Sequence, residues 1–347
     1  MFFLFFFSGE VKRICETELG IVSQCCLARH VCWINNQYMA NVVLKINVKV
    51  GGRNTVLEDA LLRHMPLVSD KPTIIFGADV THPVSGEDCS PSIAAVVASQ
   101  DWPEVTKYAC LVSAQDRGKE IIQDLFIDED PARGKNSGGG MIMKHLTSFS
   151  EANSRLPERI IFFRDGVSES QFRDVLEYEL RAIKKAWIAF QPNKHVPPIT
   201  FVVVQKRHHM KLFPCNHEDS SSVDRSGNIL PDIESLSIVD LVSIRVQAGR
   251  LIIMFCGMRT NSRQTNSKLS PTTAVIHMQV APAYYAHLAA FRARFYLGCD
   301  SSRDGCLVTG SMMDPSDKGA QFTQAAPVPV RELPALKENL TKVMFYC

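Results

Sequence analysis

Tryptophan is scarce, with three residues in 347. No stretch approaches the roughly 18 consecutive apolar residues that a membrane-spanning helix needs, so no membrane partner is expected. The eleven cysteines include no Cys-x-x-Cys pair with a second pair downstream, which argues against a structural zinc site and for reduced thiols in an intracellular protein. Neither sign of charge dominates: 38 basic residues face 36 acidic ones, a net charge of +2. Global charge therefore does not announce a polyanionic partner, and any basic surface must be local. The apolar start MFFLFFF lacks a basic flank and a small-residue cleavage site, so it is not expected to be a secretion signal. It reads as a buried strand or as an atypical start to a truncated chain.

What is present is globular: 46% hydrophobic and 21% charged residues, with ample length for a large core. The chain is organised around Thr73–Pro83, TIIFGADVTHP. A short apolar run closed by turn residues is how a buried central strand reads, and Asp79 lies where that strand leaves the core. A lone aspartate there would be read as a turn cap. Ile160–Gln171, IIFFRDGVSESQ, repeats the design with Arg164, Asp165 and Gly166. Two strand-end aspartates on neighbouring strands can hold divalent metal, and paired Mg²⁺ ions clamp the oxygens of a phosphodiester.

In chain order, Glu10–Leu19 has helical spacing with a break at Gly20, and Gln37–Lys49 looks helical before alternating. Ser92–Ser99, Lys107–Gln115 and Thr200–Gln205 read as strands. Glu120–Leu125 begins a helix, and Met141–Phe149 and Phe172–Ile188 are amphipathic helices. Pro282–Phe295 is a helix with its proline in the first turn. Asp128–Gly140 and Gly298–Pro329 read as loops. Strands alternating with helices define an α/β class. Lys12, Gln24, Lys45 and Lys49 form a weak phosphate-binding pattern, since surface lysines are commonly only solvated. Lys206–Lys211, KRHHMK, is a basic cluster at a strand end that reads either as a phosphate-backbone contact or as a solvated loop.

Taken together, GADVTHP, PSIAAVVASQDWP, EIIQDLF, RIIFFRDGVSESQF, FVVVQKRHH, DRSGNILP, PAYYAHLAAFRARF and the terminal PALKEN…VMFYC resemble the C-terminal half of a plant Argonaute. The resemblance covers most of the chain from Glu10 onward. It implies a partial Rossmann-like MID domain over residues 1–65 and an RNase H-like PIWI domain over 66–347. It implies small-RNA-guided silencing, with Mg²⁺-dependent cleavage of a target RNA paired to a guide RNA. Asp79, Glu120, Asp165 and His287 would form the catalytic tetrad. Asp79, Asp165 and His287 would hold two Mg²⁺ ions, with Mn²⁺ as a substitute. The guide's 5′-phosphate would be held by Lys12, Gln24, Lys45, Lys49 and Arg292, and its backbone by Lys206, Arg207, His208 and Lys211. Tryptophan-rich Argonaute-binding proteins would be further partners, in the cytoplasm with the nucleus as a second compartment.

The chain departs from that pattern in three places. Ser8 stands where the family carries an aromatic that stacks on the first guide base, a contact worth roughly 1–3 kcal/mol. Gly118 lies in the approach to Glu120 and is expected to loosen that loop. Over residues 232–280 the family's motifs are missing. Yet Arg245–Met258, RVQAGRLIIMFCGM, can be back-translated so that a neighbouring frame reads QGTSRPAHYHVLWD, a family motif. This segment is read as frame-shifted. It carries no period selected for the fold, so Ile233–Gln279 is expected to pack poorly and to cost at least one strand. Three functions stand open: a guide-directed endoribonuclease impaired by truncation, a guide-binding or inert fragment, and an unrelated RNase H-like nuclease or integrase.

Overall fold

The computed structural model describes residues 2–33, 35–83, 90–128, 139–204, 271–297 and 332–347. Among them, five strands form one mixed sheet: β1 (Thr73–Thr81), β2 (Ser92–Ser99), β3 (Tyr108–Gln115), β4 (Arg159–Asp165) and β5 (Ile199–Val204). Their spatial order is β3-β2-β1-β4-β5. β1 pairs antiparallel with β2 and parallel with β4, so the central strand joins an antiparallel half to a parallel half. This is the RNase H-like α/β sheet expected from the resemblance.

Strand alternation sorts the core into two layers. Ile74, Phe76, Phe162 and Phe201 lie on one face, where the Phe162 and Phe201 rings stack at 5.1 Å. That face is covered by α5 (Gly140–Asn153), through Met141, Ile142, Leu146 and Phe149, and by α6 (Phe172–Phe190), through Val175, Ile183 and Trp187. Each such side chain contributes about 1.5–3 kcal/mol on burial. Ile75, Ile161, Phe163 and Val202 point to the other face, against the alanines of α7 (Pro271–Ala293) and the buried tail residues Met344, Phe345 and Tyr346.

The small residues on α7, Ala283, Ala286, Ala290 and Ala293, let it lie close on the sheet. The approach is closest at Gly77, where an added Cβ would stand 2.1 Å from the Pro282 carbonyl oxygen. Only a residue without a side chain fits there. Pro282 is accordingly inside a long helix rather than in its first turn, a correction to the sequence reading.

Among the described residues up to position 50, every regular element is helical. α1 (Phe2–Arg13) continues into a π-helical turn (Ile14–Leu19), which ends at Gly20 with φ of 71°. The start is thus a helix and not a strand. α2 spans Ala28–Cys32 and α3 spans Asn36–Lys49, helical throughout rather than alternating. Asn35 caps α3, its side-chain oxygen accepting from Gln37 N at 2.8 Å. The short helices α4 (Glu58–Leu61) and α8 (Glu338–Thr341) complete the described elements. Glu120 is not helical; only a 3₁₀ turn at Gln123–Leu125 follows it. The backbone-contact residues Lys206, Arg207, His208 and Lys211 lie outside the described residues, as does the Ile233–Gln279 segment up to residue 270. Residues 271–279 belong to α7. Among the described residues no helix is long and apolar enough to cross a membrane.

Candidate active site and anion cradle

Asp79 and Asp165 reach one end of the sheet on neighbouring strands. The parallel register pairs Ala78 with Arg164, so the two aspartates follow as the next positions on β1 and β4. By alternation both belong to the face that carries Ile75, Ile161 and α7. Each is only 4% exposed. β1 runs two residues beyond Asp79, which still pairs with Ala95 of β2, so this aspartate is held by strand on one side and open on the other.

His287, on α7, places Nδ1 at 2.7 Å from Asp79 Oδ2. Glu120 arrives on the loop after β3. A Cβ at Gly166 would lie 3.2 Å from Asp79 Oδ1 and 3.6 Å from Glu120 Oε1, so both carboxylates face the space that this glycine leaves. All four expected tetrad residues therefore collect at the same end of the sheet.

Two further side chains hold Glu120. His82 Nε2 lies 2.9 Å from Glu120 Oε2, and its Nδ1 lies 2.9 Å from Ser92 Oγ, which accepts from Gly118 N at 3.0 Å. The contacts form one consistent chain from the Gly118 amide through Ser92 and His82 to the carboxylate. Gly118 therefore does not loosen the loop: at φ of 74° it makes the turn that an L side chain resists. Arg164, fully buried, donates Nη2 to Glu120 Oε1 at 2.9 Å and Nε to Glu179 at 3.2 Å. Glu179 also accepts from Ile122 N at 3.1 Å. Burial pushes the Glu179 carboxyl up, with Arg164 opposing. Sequence reading missed His82, Ser92 and Glu179. His82 stands three residues from Asp79, but nothing local in the sequence ties it to position 120.

The donor set suits a hard divalent cation: carboxylate oxygens from Asp79 and Asp165, with an imidazole beside them. Among the described residues no three His, Cys, Asp or Glu side chains converge into a metal cage.

The second cluster lies where the N-terminal helices meet the end of α7. Arg292 donates Nε to Glu16 at 2.9 Å, and the Tyr296 hydroxyl donates to the same carboxylate at 2.5 Å. Glu16 is fully buried and was not anticipated. Lys49, 2% exposed, donates Nζ to the Ser23 carbonyl at 3.0 Å. Burial, then the Arg292 charge, lowers the Lys49 ammonium to about 8. The same two causes lower Lys12, whose Nζ lies 4.5 Å from the centre of the Phe295 ring. Lys45 is close enough to act on both Lys49 and Cys347. Gln24 Nε2 donates to the Cys25 carbonyl at 2.9 Å. Lys12, Lys49 and Arg292 thus gather around one buried acid, with Lys45 near Lys49 and Gln24 next to the Lys49 contact.

The Piwi domain family matches residues 8–237. The chain belongs to the Piwi-domain family of Argonautes. It is 54% identical to Protein argonaute 1B of Oryza sativa subsp. japonica over 98% of this chain and 32% of that protein. It is 53% identical to Protein argonaute 10 of Arabidopsis thaliana over 98% of this chain and 35% of that protein. The chain therefore spans about a third of the length of these Argonautes. Kluyveromyces polysporus Argonaute, solved with a guide RNA, superposes with a TM-score of 0.64 at 22% identity, covering 98% of this chain and 38% of that one, which supports the Argonaute fold.

Proposed function

We propose that this chain is the guide-anchoring and target-cleaving part of an Argonaute, acting in small-RNA-guided silencing. The observation that carries the reading is the placement of Asp79 and Asp165 as neighbours on one face of the sheet, with His287 on Asp79 and Glu120 beside it. Asp79 and Asp165 would hold Mg²⁺, or Mn²⁺, with His287 completing the set. The bound ions would supply electrostatic stabilisation to an in-line displacement at phosphorus. The chain's own residues do the rest. His287 donates Nδ1–H to Asp79 and so fixes that carboxylate's rotamer. His82 and Arg164 hold Glu120 at the site, where its carboxylate can orient a water. The basic cluster around Lys49 and Arg292 would anchor the guide's 5′-phosphate, and base pairing would supply sequence choice. Residues 1–65 would be the MID part and 66–347 the PIWI part, in cytoplasm or nucleus, with tryptophan-rich proteins as further partners.

The test is cleavage of a guide-paired RNA by the purified chain with Mg²⁺, alongside D79A and D165A. Cleavage lost in both variants supports the reading; no cleavage by the unaltered chain, or cleavage that survives both substitutions, overturns it. A second reading, guide binding without cutting, is favoured by the lack of a three-residue cage among the described residues. In that case the same assay shows guide retention with no product.

A further inference from the structure

A cavity of about 570 Å³ lies at the end of β2 and β3 opposite Ser92 and Glu120. Its walls come from the turn that joins these strands, the C-terminal half of α5, Arg53 in the connector after α3, and Lys342 in the tail. Small-molecule sites span about 300–1,000 Å³, so the size is sufficient for one. Trp102, on the turn, is held by its neighbours. Its backbone N–H donates to Asn153 Oδ1 at 2.9 Å, Asn153 donates to the Gln100 carbonyl at 3.0 Å, and the Arg63 guanidinium lies 4.8 Å from the centre of the indole ring. Yet Nε1 of this fixed indole is buried without a hydrogen-bond partner. Such groups are uncommon in a folded chain, because they forfeit their bonds to water. An indole nitrogen only donates, so what it lacks is an acceptor.

The charges around the cavity say what kind of acceptor fits. Lys107 and Lys342 line it, and neither ammonium has an ion-pair partner among the described residues. The acids of the lining are engaged or turned to solvent. Asp101 already accepts from Arg53, from the Thr106 hydroxyl and amide, and from the Lys107 amide. Glu104 stands 4.0 Å from Arg53, and Glu151 is exposed. The groups left over are therefore mainly donors: two ammonium groups and one indole N–H. They are single donors on separate side chains, which suits the tetrahedral oxygens of a phosphate better than the flat pair of a carboxylate. Lysine binds phosphate as a point charge, whereas a carboxylate favours an arginine fork, and Arg53 is committed to Asp101.

We propose that this cavity is a binding site for a phosphorylated small molecule of nucleotide size, held by the Trp102 indole N–H, Lys107 and Lys342. The site shares no residue with the acidic end of the sheet or with the cradle around Lys49. Its occupant ties the tail, through Lys342, to the turn between β2 and β3, so the fold gains stability as the ligand concentration rises.

The test is isothermal titration calorimetry of the purified chain with ATP and with inorganic triphosphate, at physiological ionic strength, alongside K107Q/K342Q, W102F and K49M. Melting curves on the same preparations report folding. A hydrogen bond to a charged oxygen corresponds to roughly tenfold or more in affinity. K107Q/K342Q is expected to lose about tenfold or more for both probes. W102F, which keeps an aromatic ring beside Arg63 but no N–H, is expected to bind more weakly than the unaltered chain, and K49M is expected to bind like it. ATP is expected to raise the melting temperature of the unaltered chain more than that of K107Q/K342Q. Three results overturn the proposal: no binding of either probe, equal binding by the unaltered chain and K107Q/K342Q, or a loss confined to K49M, which places the probe in the cradle instead. Displacement of ATP by a 5′-hydroxyl RNA also overturns it, because the phosphate would then come from a strand and not from a small molecule.

Discussion

His287 Nδ1 and Asp79 Oδ2 stand 2.7 Å apart across 208 residues of sequence. The contact fixes the imidazole with one nitrogen turned to the aspartate and sets the orientation of the carboxylate nearest the centre of the sheet. Replacing His287 by alanine is expected to leave the fold intact, since the ring is not part of the packed alanine face. It is expected to reduce guided cleavage by about 10²-fold or more, as for other groups that position or transfer protons. Single-turnover cleavage and circular dichroism on the same preparation check both halves.

Gly77→Ala is expected to act on the same contact from the other side. The new methyl would meet the Pro282 carbonyl, which belongs to backbone and cannot rotate away. Overpacking of this kind costs about 1–3 kcal/mol and would lift α7, with His287 on it. Gly118→Ala is the informative contrast, because a Cβ there meets nothing within 4 Å while φ is +74°. Its cost is conformational, about 1 kcal/mol. Urea unfolding of the two variants separates steric from backbone strain: a larger loss at position 77 is expected.

Arg164 serves Glu120, Glu179 and the Asp165 carbonyl from a fully buried position. Arg164→Met is expected to cost about 3–5 kcal/mol, because it takes the guanidinium from two buried carboxylates that keep only His82 and the Ile122 amide. Arg164→Met combined with Glu179→Gln is expected to recover part of that loss. Chemical denaturation of the single and double variants checks the coupling.

Lys49 gives the cradle a pH dependence. Its ammonium is lowered to about 8, so below that pH it is charged and above it loses its proton. Affinity for a 5′-phosphorylated RNA is therefore expected to hold up to about pH 8 and to fall as the pH rises further. An ordinary lysine would hold its charge to about 10.4. Binding measured from pH 7 to 9.5, with a 5′-hydroxyl RNA for comparison, checks this; Lys49→Arg is expected to flatten the profile.

His145 adds an acid-side effect on stability. Burial lowers it to about 4, and it stays neutral with Nε2 at 3.1 Å from the Val96 carbonyl. Its folded value lies below its unfolded one, so the unfolded state takes up a proton first. Stability is expected to be retained above about pH 6.5 and to fall toward pH 4, by about 1.4 kcal/mol per unit for this one group. Replacing it by glutamine removes that component of the pH slope in urea unfolding.

The sheet was legible because its strands announce themselves: Ser92–Ser99 has the same bounds in sequence and structure, and Asp79 and Asp165 stood out as a repeated design. The helix ends and caps were less visible. Glu120–Leu125 has helical spacing, yet Glu120 is held in a loop by Arg164 and His82, contacts that local pattern cannot reveal. Glu16 reads as one more acid on a charged helical face. Its burial depends on Arg292 and Tyr296, some 276 and 280 residues away. The length of α7 was hidden for a different reason: a proline usually starts a helix, and here one lies within it because its carbonyl fits over Gly77.

His287 and Arg292 occupy one helix, five residues apart, or about 7.5 Å along its axis. One touches the acid at the sheet end and the other touches the acid of the cradle. A stiff rod cannot slide at one end and stay still at the other. Any change that shifts α7 at Arg292 also resets the aim of the His287 imidazole, so under the proposed function guide anchoring and target cleavage would be tuned together.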